Sequence, residues 1–449
     1  PRLGFNFDVK GDQTIVVRGG SGVFTGRVPF AWLGYAFYNN GVNFNGVDYT
    51  NNIPAATPTN PNPTRPVVLL NQDPTQIYSK LPASAQTKTE INLIDNNFKM
   101  PQVWRSSLAF DFKLPYGIRT SVEGLYTKVL QDVKFEQINL KDNVGYAASG
   151  PNETPIYQGS GDAQRINPNF SNFFLLTNTQ QGYRYQLTGT LGKTFGQLLD
   201  VSAAYTYGQS KDISNGIRNS FQSNWELNPS LSVNNPSLAY SNFDMRHRVV
   251  ASINLHKSFA QRFTGYFTSV LTYQAGSPFT FVYNNNRFGN GQQNVQLAYI
   301  PRDANDINLV DIKTNGVVTS TAAQQGQQLN DYINNDSYLS TRRGQYAERN
   351  AARTPWNNQA DVRFMLEAKL GNLTPNEAGV VMGPKHTLQV SFDIINFGNL
   401  LNKEWGRQYF VPNTFNSTSA FGLTQGANYL DASGASGSFN PVTFNRPTF

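Results

Sequence analysis

The sequence has no cysteine. That removes disulfides, thiolate metal sites and cysteine nucleophiles together. Charged residues make up only 14% of its 449 residues, which is low for an ordinary cytoplasmic enzyme, while 39% hydrophobic residues is too many for a disordered tail. Asn, Gln, Ser and Thr carry the polarity instead. No stretch approaches the roughly 18 to 20 apolar residues that a membrane-spanning helix needs. If such a chain enters a membrane, it does so as a closed sheet, the only other structure whose backbone is satisfied in lipid.

Histidine is scarce. His247, His256 and His386 stand far apart, without the close spacing of a metal site. No Gly-x-Ser-x-Gly elbow occurs, and Gly19-Gly20-Ser21-Gly22 is followed by neither a Lys-Ser/Thr pair nor a dinucleotide fingerprint, so it reads as a flexible strand or bulge. Asn334-Asn335-Asp336 offers oxygen atoms but lacks the spacing of a calcium loop and reads as solvated turn residues. We therefore expect no catalysis and no cofactor. The net charge of +7 comes from scattered Lys and Arg, with one basic triplet at Arg246-His247-Arg248. Nucleic acid is not an expected partner; anionic lipid head groups or a cation-lined lumen explain the excess as well.

What the sequence does have is aromatic residues, with 31 Phe and 22 Tyr, and strict alternation. Trp104, Leu108, Phe110, Phe112 and Leu114 interleave with Arg105, Ser107, Ala109, Asp111 and Lys113. Ala360, Val362, Phe364, Leu366, Ala368 and Leu370 interleave with Asp361, Arg363, Met365, Glu367 and Lys369. Leu388, Val390, Phe392 and Ile394 interleave with Thr387, Gln389, Ser391 and Asp393. A strand sends successive side chains to opposite faces, so one face meets something apolar and the other meets water. A sandwich with a buried core, or a barrel in lipid with a wet lumen, supplies both surroundings.

The pattern predicts strands at 2–9, 13–25, 102–114, 117–130, 181–195, 199–211, 246–258, 262–281, 359–370 and 385–397, with another near 440–449, about ten or eleven in all. Tight turns are expected at Lys10-Gly11-Asp12, Pro115-Tyr116-Gly117, Gly196 to Leu199 and Ser258 to Arg262, with a longer connection from Gly371 to Pro384. They alternate with long polar loops at about 27–101, 132–180, 211–243, 282–357 and 398–439. Such loops argue against a compact soluble domain and fit a transmembrane barrel with short turns on one side and long loops on the other. Tyr116, Phe195, Phe259 and Phe263 mark the turn side, and Tyr126, Tyr205, Tyr207 and Tyr273 the loop side, like two girdles. Ser320 to Tyr346 reads as loop with a helical turn or two. Phe30, Trp32, Tyr35, Phe37 and Tyr38 cluster outside any strand, as residues packed into their own loop or stacking on a ligand.

Several stretches, taken in order, resemble the TonB-dependent outer-membrane receptors of the Oar-like branch. They are Arg18 to Phe30, Phe243-Asp244-Met245-Arg246-His247-Arg248 to Ser252, Tyr273 to Phe279, Arg353-Thr354-Pro355-Trp356 with Asp361 and Arg363, and Phe392 to Phe397 running into Asn399 to Phe410. The resemblance implies an all-β transmembrane antiparallel barrel of 22 strands in the outer membrane of a Gram-negative bacterium. It also implies a plug domain in the lumen, an energising TonB complex, and lipid and lipopolysaccharide outside. No signal peptide, plug or TonB box precedes Pro1, so the expectation is the C-terminal portion of one barrel domain, about half its strands.

On that reading Arg105, Asp111, Arg119, Glu123, Asp361, Arg363 and Glu367 line the lumen and meet the plug. Leu108, Phe110, Phe112, Phe364, Leu366, Val390 and Phe392 face lipid. Phe30, Trp32, Tyr35, Phe37 and Tyr38 form a candidate ligand loop. The expected function is TonB-dependent import; the alternatives are a structural barrel subunit of a multiprotein outer-membrane assembly and a soluble all-β adhesin.

Overall fold

A computed structural model describes residues 1–42, 72–78, 88–143, 145–146, 155–157, 161–214, 218–260, 262–283, 295–307, 309–370, 386–411, 417–418, 423–425 and 442–444. Ten long strands form one antiparallel sheet in chain order. They are β1 (Arg2–Asp8), β2 (Ile15–Thr25), β3 (Gln102–Leu114), β4 (Ile118–Gln137), β5 (Tyr183–Phe195), β6 (Leu199–Asp212), β7 (His247–Ala260), β8 (Phe263–Gln274), β9 (Asn357–Leu370) and β10 (His386–Ile394). Among the described residues β1 and β10 pair on one side only. No described helix is long and apolar enough to cross a membrane.

The turns form for local reasons. Between β1 and β2 the Asp8 carboxylate accepts hydrogen bonds from the backbone N–H groups of Gly11 at 3.0 Å and Gln13 at 2.8 Å, closing a turn in which Gly11 has φ 75°. Between β3 and β4, Pro115 presets the entry and Tyr116 and Gly117 both take the left-handed conformation, with φ 63° and 72°, a reversal for which glycine has no Cβ penalty.

Register fixes the faces. Phe110 lies opposite Val17 on β2 and Val122 on β4. The row continues through Gly189, Tyr205, Val249 and Tyr273. The neighbouring row on the other face runs from Asp111 to Ser121, Thr190, Ala204, Val250 and Thr272. Turn ends are staggered as well. Ile118 begins β4 opposite Lys193, two positions before β5 ends, and Leu199 begins β6 opposite Leu255, well before β7 ends. Such a stagger is what tilted strands of a closing sheet require.

The clustered packed core lies toward the loop ends of the strands and in the long connections. One cluster gathers Trp32 of helix α1 (Phe30–Tyr38), Val133 and Phe135 of the far end of β4, Phe174 and Leu176, and Phe221 and Trp225 of helix α2 (Phe221–Glu226). The other gathers Phe279, Phe281, Tyr283, Tyr299, Ile300, Leu339 and Tyr346 around Leu329 and Ile333 of helix α3 (Ala322–Asn335).

Two expectations change, and a third is narrowed to one of its alternatives. The strand predicted over 262–281 ends at Gln274, because Gly276 runs against the backbone of Thr354: a Cβ there would lie 1.9 Å from the Thr354 carbonyl oxygen. Pro278–Phe281 then pairs with Ala352–Arg353 and Ser417–Thr418, away from the main sheet. The region read as a helical turn or two is a helix of 14 residues, opened by a capping box in which Thr321 and Gln324 exchange hydrogen bonds. Gly19 to Gly22 form regular strand without a bulge; Gly19 admits the Phe5 ring, which a Cβ would meet at 2.9 Å. The Gly371 to Pro384 connection, most of 398–439 and most of 440–449 lie outside the described residues.

Candidate lumen surface and loop cap

All seven residues predicted for the wet side lie on the polar face, and the register gives most of them cross-strand partners. Arg18 Nε donates to Asp111 Oδ2 at 2.9 Å and its Nη2 to Glu123 Oε2 at 3.4 Å. Ser121 Oγ donates to the other Asp111 oxygen at 2.6 Å. One strand further on, Arg119 Nη2 donates to Asp200 Oδ2 at 3.0 Å, and the Thr194 hydroxyl donates to the same oxygen at 2.6 Å. Arg363 Nη2 reaches Asp393 Oδ2 at 3.1 Å. Glu367 accepts from Gln389 Nε2 at 2.9 Å, and Asp361 from the Asn396 backbone N–H at 2.8 Å. Arg105 Nε donates to Thr127 Oγ1 at 3.3 Å.

Arg18, Asp200 and Asp393 complete these pairs without having been singled out in the sequence. Their alternation phase was legible; their partners depend on which strand lies beside which. Among the described residues no three His, Asp or Glu side chains gather as a metal site requires. Asp336 Oδ1 accepts from the backbone N–H groups of Tyr338 and Leu339 at 2.9 and 2.8 Å, and Asn334 Oδ1 from Arg343 at 2.7 Å, so both stabilise the loop.

The opposite face carries Leu108, Phe110, Phe112, Phe364, Leu366, Val390 and Phe392, and among the described residues it stays largely uncovered: Phe110 is 38%, Phe364 48% and Phe392 65% exposed. Phe110 and Phe112 stack at 6.5 Å, and Phe364 packs on Phe267 at 5.2 Å. Toward the loop side, Trp356 stacks on Tyr273 at 4.8 Å and on His247 at 5.7 Å, while Tyr205 and His247 share a hydrogen bond of 2.8 Å.

A row of apolar side chains open to the surroundings, backed by a row of paired charges, is the arrangement of a sheet between hydrocarbon and water. The sequence model of the outer membrane beta barrel domain matches residues 1–431. This chain belongs to the outer membrane β-barrel family. It is therefore a barrel of the Gram-negative outer membrane, with one apolar and one polar face on its strands.

No curated protein matches the sequence. Among solved structures the barrel is similar to the outer membrane transporter YddB of Escherichia coli, with 9% identity, TM-score 0.36 and coverage of 87% of this chain and 40% of that one. It is similar to a mutant of the ferric enterobactin receptor PfeA of Pseudomonas aeruginosa, with 9% identity, TM-score 0.35 and coverage of 87% and 40%. It is also similar to the siderophore receptor PirA of Acinetobacter baumannii, with 10% identity, TM-score 0.32 and coverage of 88% and 40%. The chain thus spans about 40% of the length of each.

Above the barrel, the loops are locked by buried ion pairs. The Asp244 side chain is wholly buried; its carboxylate pairs with Arg246 at 3.3 Å and with Arg353, and Arg353 Nη1 also donates to the Asp244 carbonyl at 2.8 Å. Arg349, 2% exposed, pairs with Asp212 at 2.8 Å. Burial pulls both Arg349 and Arg353 below the usual arginine pKa, opposed by the aspartates. Two separate motifs of the sequence, Phe243 to Arg248 and Arg353 to Trp356, are here in direct contact.

The aromatic loop divides. Trp32 is buried with its ring edge-on to Phe135 at 5.0 Å, and its indole N–H donates to the Arg218 carbonyl at 2.8 Å. Phe30, Phe37 and Tyr38 are exposed, with Tyr35 at the margin. One member anchors α1 to the cap, and the others are exposed among the described residues.

Proposed function

We propose that this barrel is the C-terminal portion of a TonB-dependent importer of the Oar-like branch. In this reading a plug domain fills the lumen, further strands close the wall, and the energising TonB complex pulls on the plug. The ligand is first held by the loop cap, through Phe30, Tyr35, Phe37 and Tyr38 on the α1 that Trp32 anchors, and then passes through the lumen without covalent chemistry.

The observation that carries the proposal is the lumen wall itself. Arg18, Asp111, Glu123, Arg119 and Asp200 are paired along the wall yet still partly open to the interior, with side chains 36 to 60% exposed. Charges held in place by each other but not buried leave hydrogen-bonding capacity for a second protein surface inside the barrel.

The test uses the full-length protein in its own cells. A photo-crosslinking amino acid at Glu123 or Glu367 should give an intramolecular product with a segment inside the lumen. Cells carrying the gene should deplete at least one small solute from conditioned medium, and a protonophore should abolish that depletion. A lumen without crosslinks, or depletion indifferent to the protonophore, would replace import with the role of a structural subunit in an outer-membrane assembly.

A further inference from the structure

The lumen arginines Arg18, Arg119 and Arg363 all have carboxylate partners. Among the described residues four lysines on the lipid face, Lys128, Lys193, Lys211 and Lys257, do not, and two of these, Lys128 and Lys211, stand near the long loops. Lys128 on β4 and Lys211 on β6 each lie directly opposite Tyr183 on β5, so the three stand in one row as Lys128, Tyr183, Lys211. Register places the row on the lipid side, in phase with Tyr126, Val122, Tyr205 and Val201. Among the described residues neither lysine has an ion-pair partner; Lys211 rests over the Tyr240 ring at 4.6 Å.

The height of the row is also set. Lys128 comes about ten residues after Ile118, where β4 leaves the tight turn, and a tilted strand crosses the hydrocarbon in roughly 9 to 11 residues. The long loops lie beyond that point, on the outer side, so the lysines stand at the boundary of the outer leaflet. Just below them Tyr126 faces Tyr185, with Trp104 edge-on to Tyr126 at 6.1 Å. Lower still, the lipid face carries an apolar groove of about 350 Å³ lined by Val122, Leu191, Ala203, Tyr205 and Val249 and floored by Gly189, whose missing side chain would meet nothing within 4 Å.

We propose that Lys128 and Lys211 together hold the phosphate of an outer-leaflet lipid and that one acyl chain of that lipid lies in the groove over Gly189. The lysines sit two strand spacings apart, about 10 Å, a distance that two flexible side chains close over one phosphate. An ammonium at the edge of hydrocarbon with no protein counter-charge finds its anion in the head-group layer. The tyrosines between phosphate and groove supply the amphipathic layer that such a boundary favours.

The test is native mass spectrometry of the full-length protein in mild detergent, titrated with bisphosphorylated lipid A as the probe. Wild type should retain one lipid through detergent exchange. Each single variant, Lys128→Gln or Lys211→Gln, should weaken retention about five-fold, and the double variant on the order of 30-fold. A Lys128→Arg/Lys211→Arg pair should restore it. Lys193→Gln/Lys257→Gln, which removes the lipid-facing lysines at the turn side, should leave retention unchanged. Gly189→Leu should weaken retention of lipid A but not of a short-chain phosphorylated analogue. Unchanged retention in the Lys128/Lys211 double variant, or equal loss in the turn-side control, overturns the phosphate site; a Gly189→Leu protein that binds lipid A normally overturns the acyl groove. Should the double variant fail to show heat-modifiable migration, the singles and the arginine pair decide the matter.

Discussion

Arg363 and Phe364 are adjacent in the chain and lie on opposite faces of the sheet: Arg363 reaches across to Asp393 at 3.1 Å on the polar face, while the Phe364 ring lies on Phe267 at 5.2 Å on the apolar face. The two positions should respond to substitution in opposite ways. Arg363→Gln breaks an ion pair whose side chains are 58% and 43% exposed, and such pairs contribute about 0 to 1 kcal/mol. Phe364→Arg puts a charge into hydrocarbon and should cost about 2 to 4 kcal/mol. Urea unfolding in detergent, read by heat-modifiable migration, compares them; equal costs would mean that the assignment of the faces is wrong.

Removing the Trp32 side chain should loosen the cap and leave the barrel intact. Trp32→Ala abolishes its contact with Phe135 and its hydrogen bond to Arg218, with an expected local cost of about 3 to 5 kcal/mol. Limited proteolysis should cut near α1 much faster, with heat-modifiable migration unchanged. Wild-type resistance to protease would show that the cluster around Phe221 and Trp225 holds without it.

Asp244 neutralises Arg246 and Arg353 in a buried site. Asp244→Ala strands both guanidinium groups and should cost about 3 to 5 kcal/mol, releasing the connection before β9 to protease. Asp244→Ala combined with Arg353→Met removes one of the stranded charges and should recover part of that loss. A double variant as sensitive as the single would mean that the ion pair is not what fastens this connection.

Glu90 supplies a pH dependence. Burial, reinforced by the nearby Glu226 carboxylate, lifts it from 4.5 to about 7. A carboxyl raised in the folded state favours folding when protonated, so its contribution is complete below about 4.5 and is lost as pH rises through about 7. Protease resistance of the cap should therefore fall between those values in wild type, and Glu90→Gln should flatten the curve. A wild-type profile that is flat over this range would contradict the assignment.

Eight of the ten strands follow the alternation to within a few residues, because period two is written into each strand by itself: Leu108, Phe110 and Phe112 need no knowledge of their neighbours to declare a face. The tight turns were legible too, since Gly11 and Pro115-Tyr116-Gly117 act within four or five residues. The packed interior was not. Helix α3 hides in a run of Gln and Asn, its buried stripe reduced to Gln325, Gly326, Leu329 and Ile333, and the far end of β4 is strand only because Phe173–Thr179 pairs with it.

The sequence by itself determined the two-faced strands and the tight turns that join them, because side-chain alternation and turn chemistry act over a few residues. Only the tertiary structure decided that Arg18 pairs with Asp111, that Arg353 finds Asp244, and that Lys128 and Lys211 stand on either side of Tyr183. Those relationships depend on cross-strand register and loop packing, which bring together residues distant in the chain and leave no local mark on any one of them.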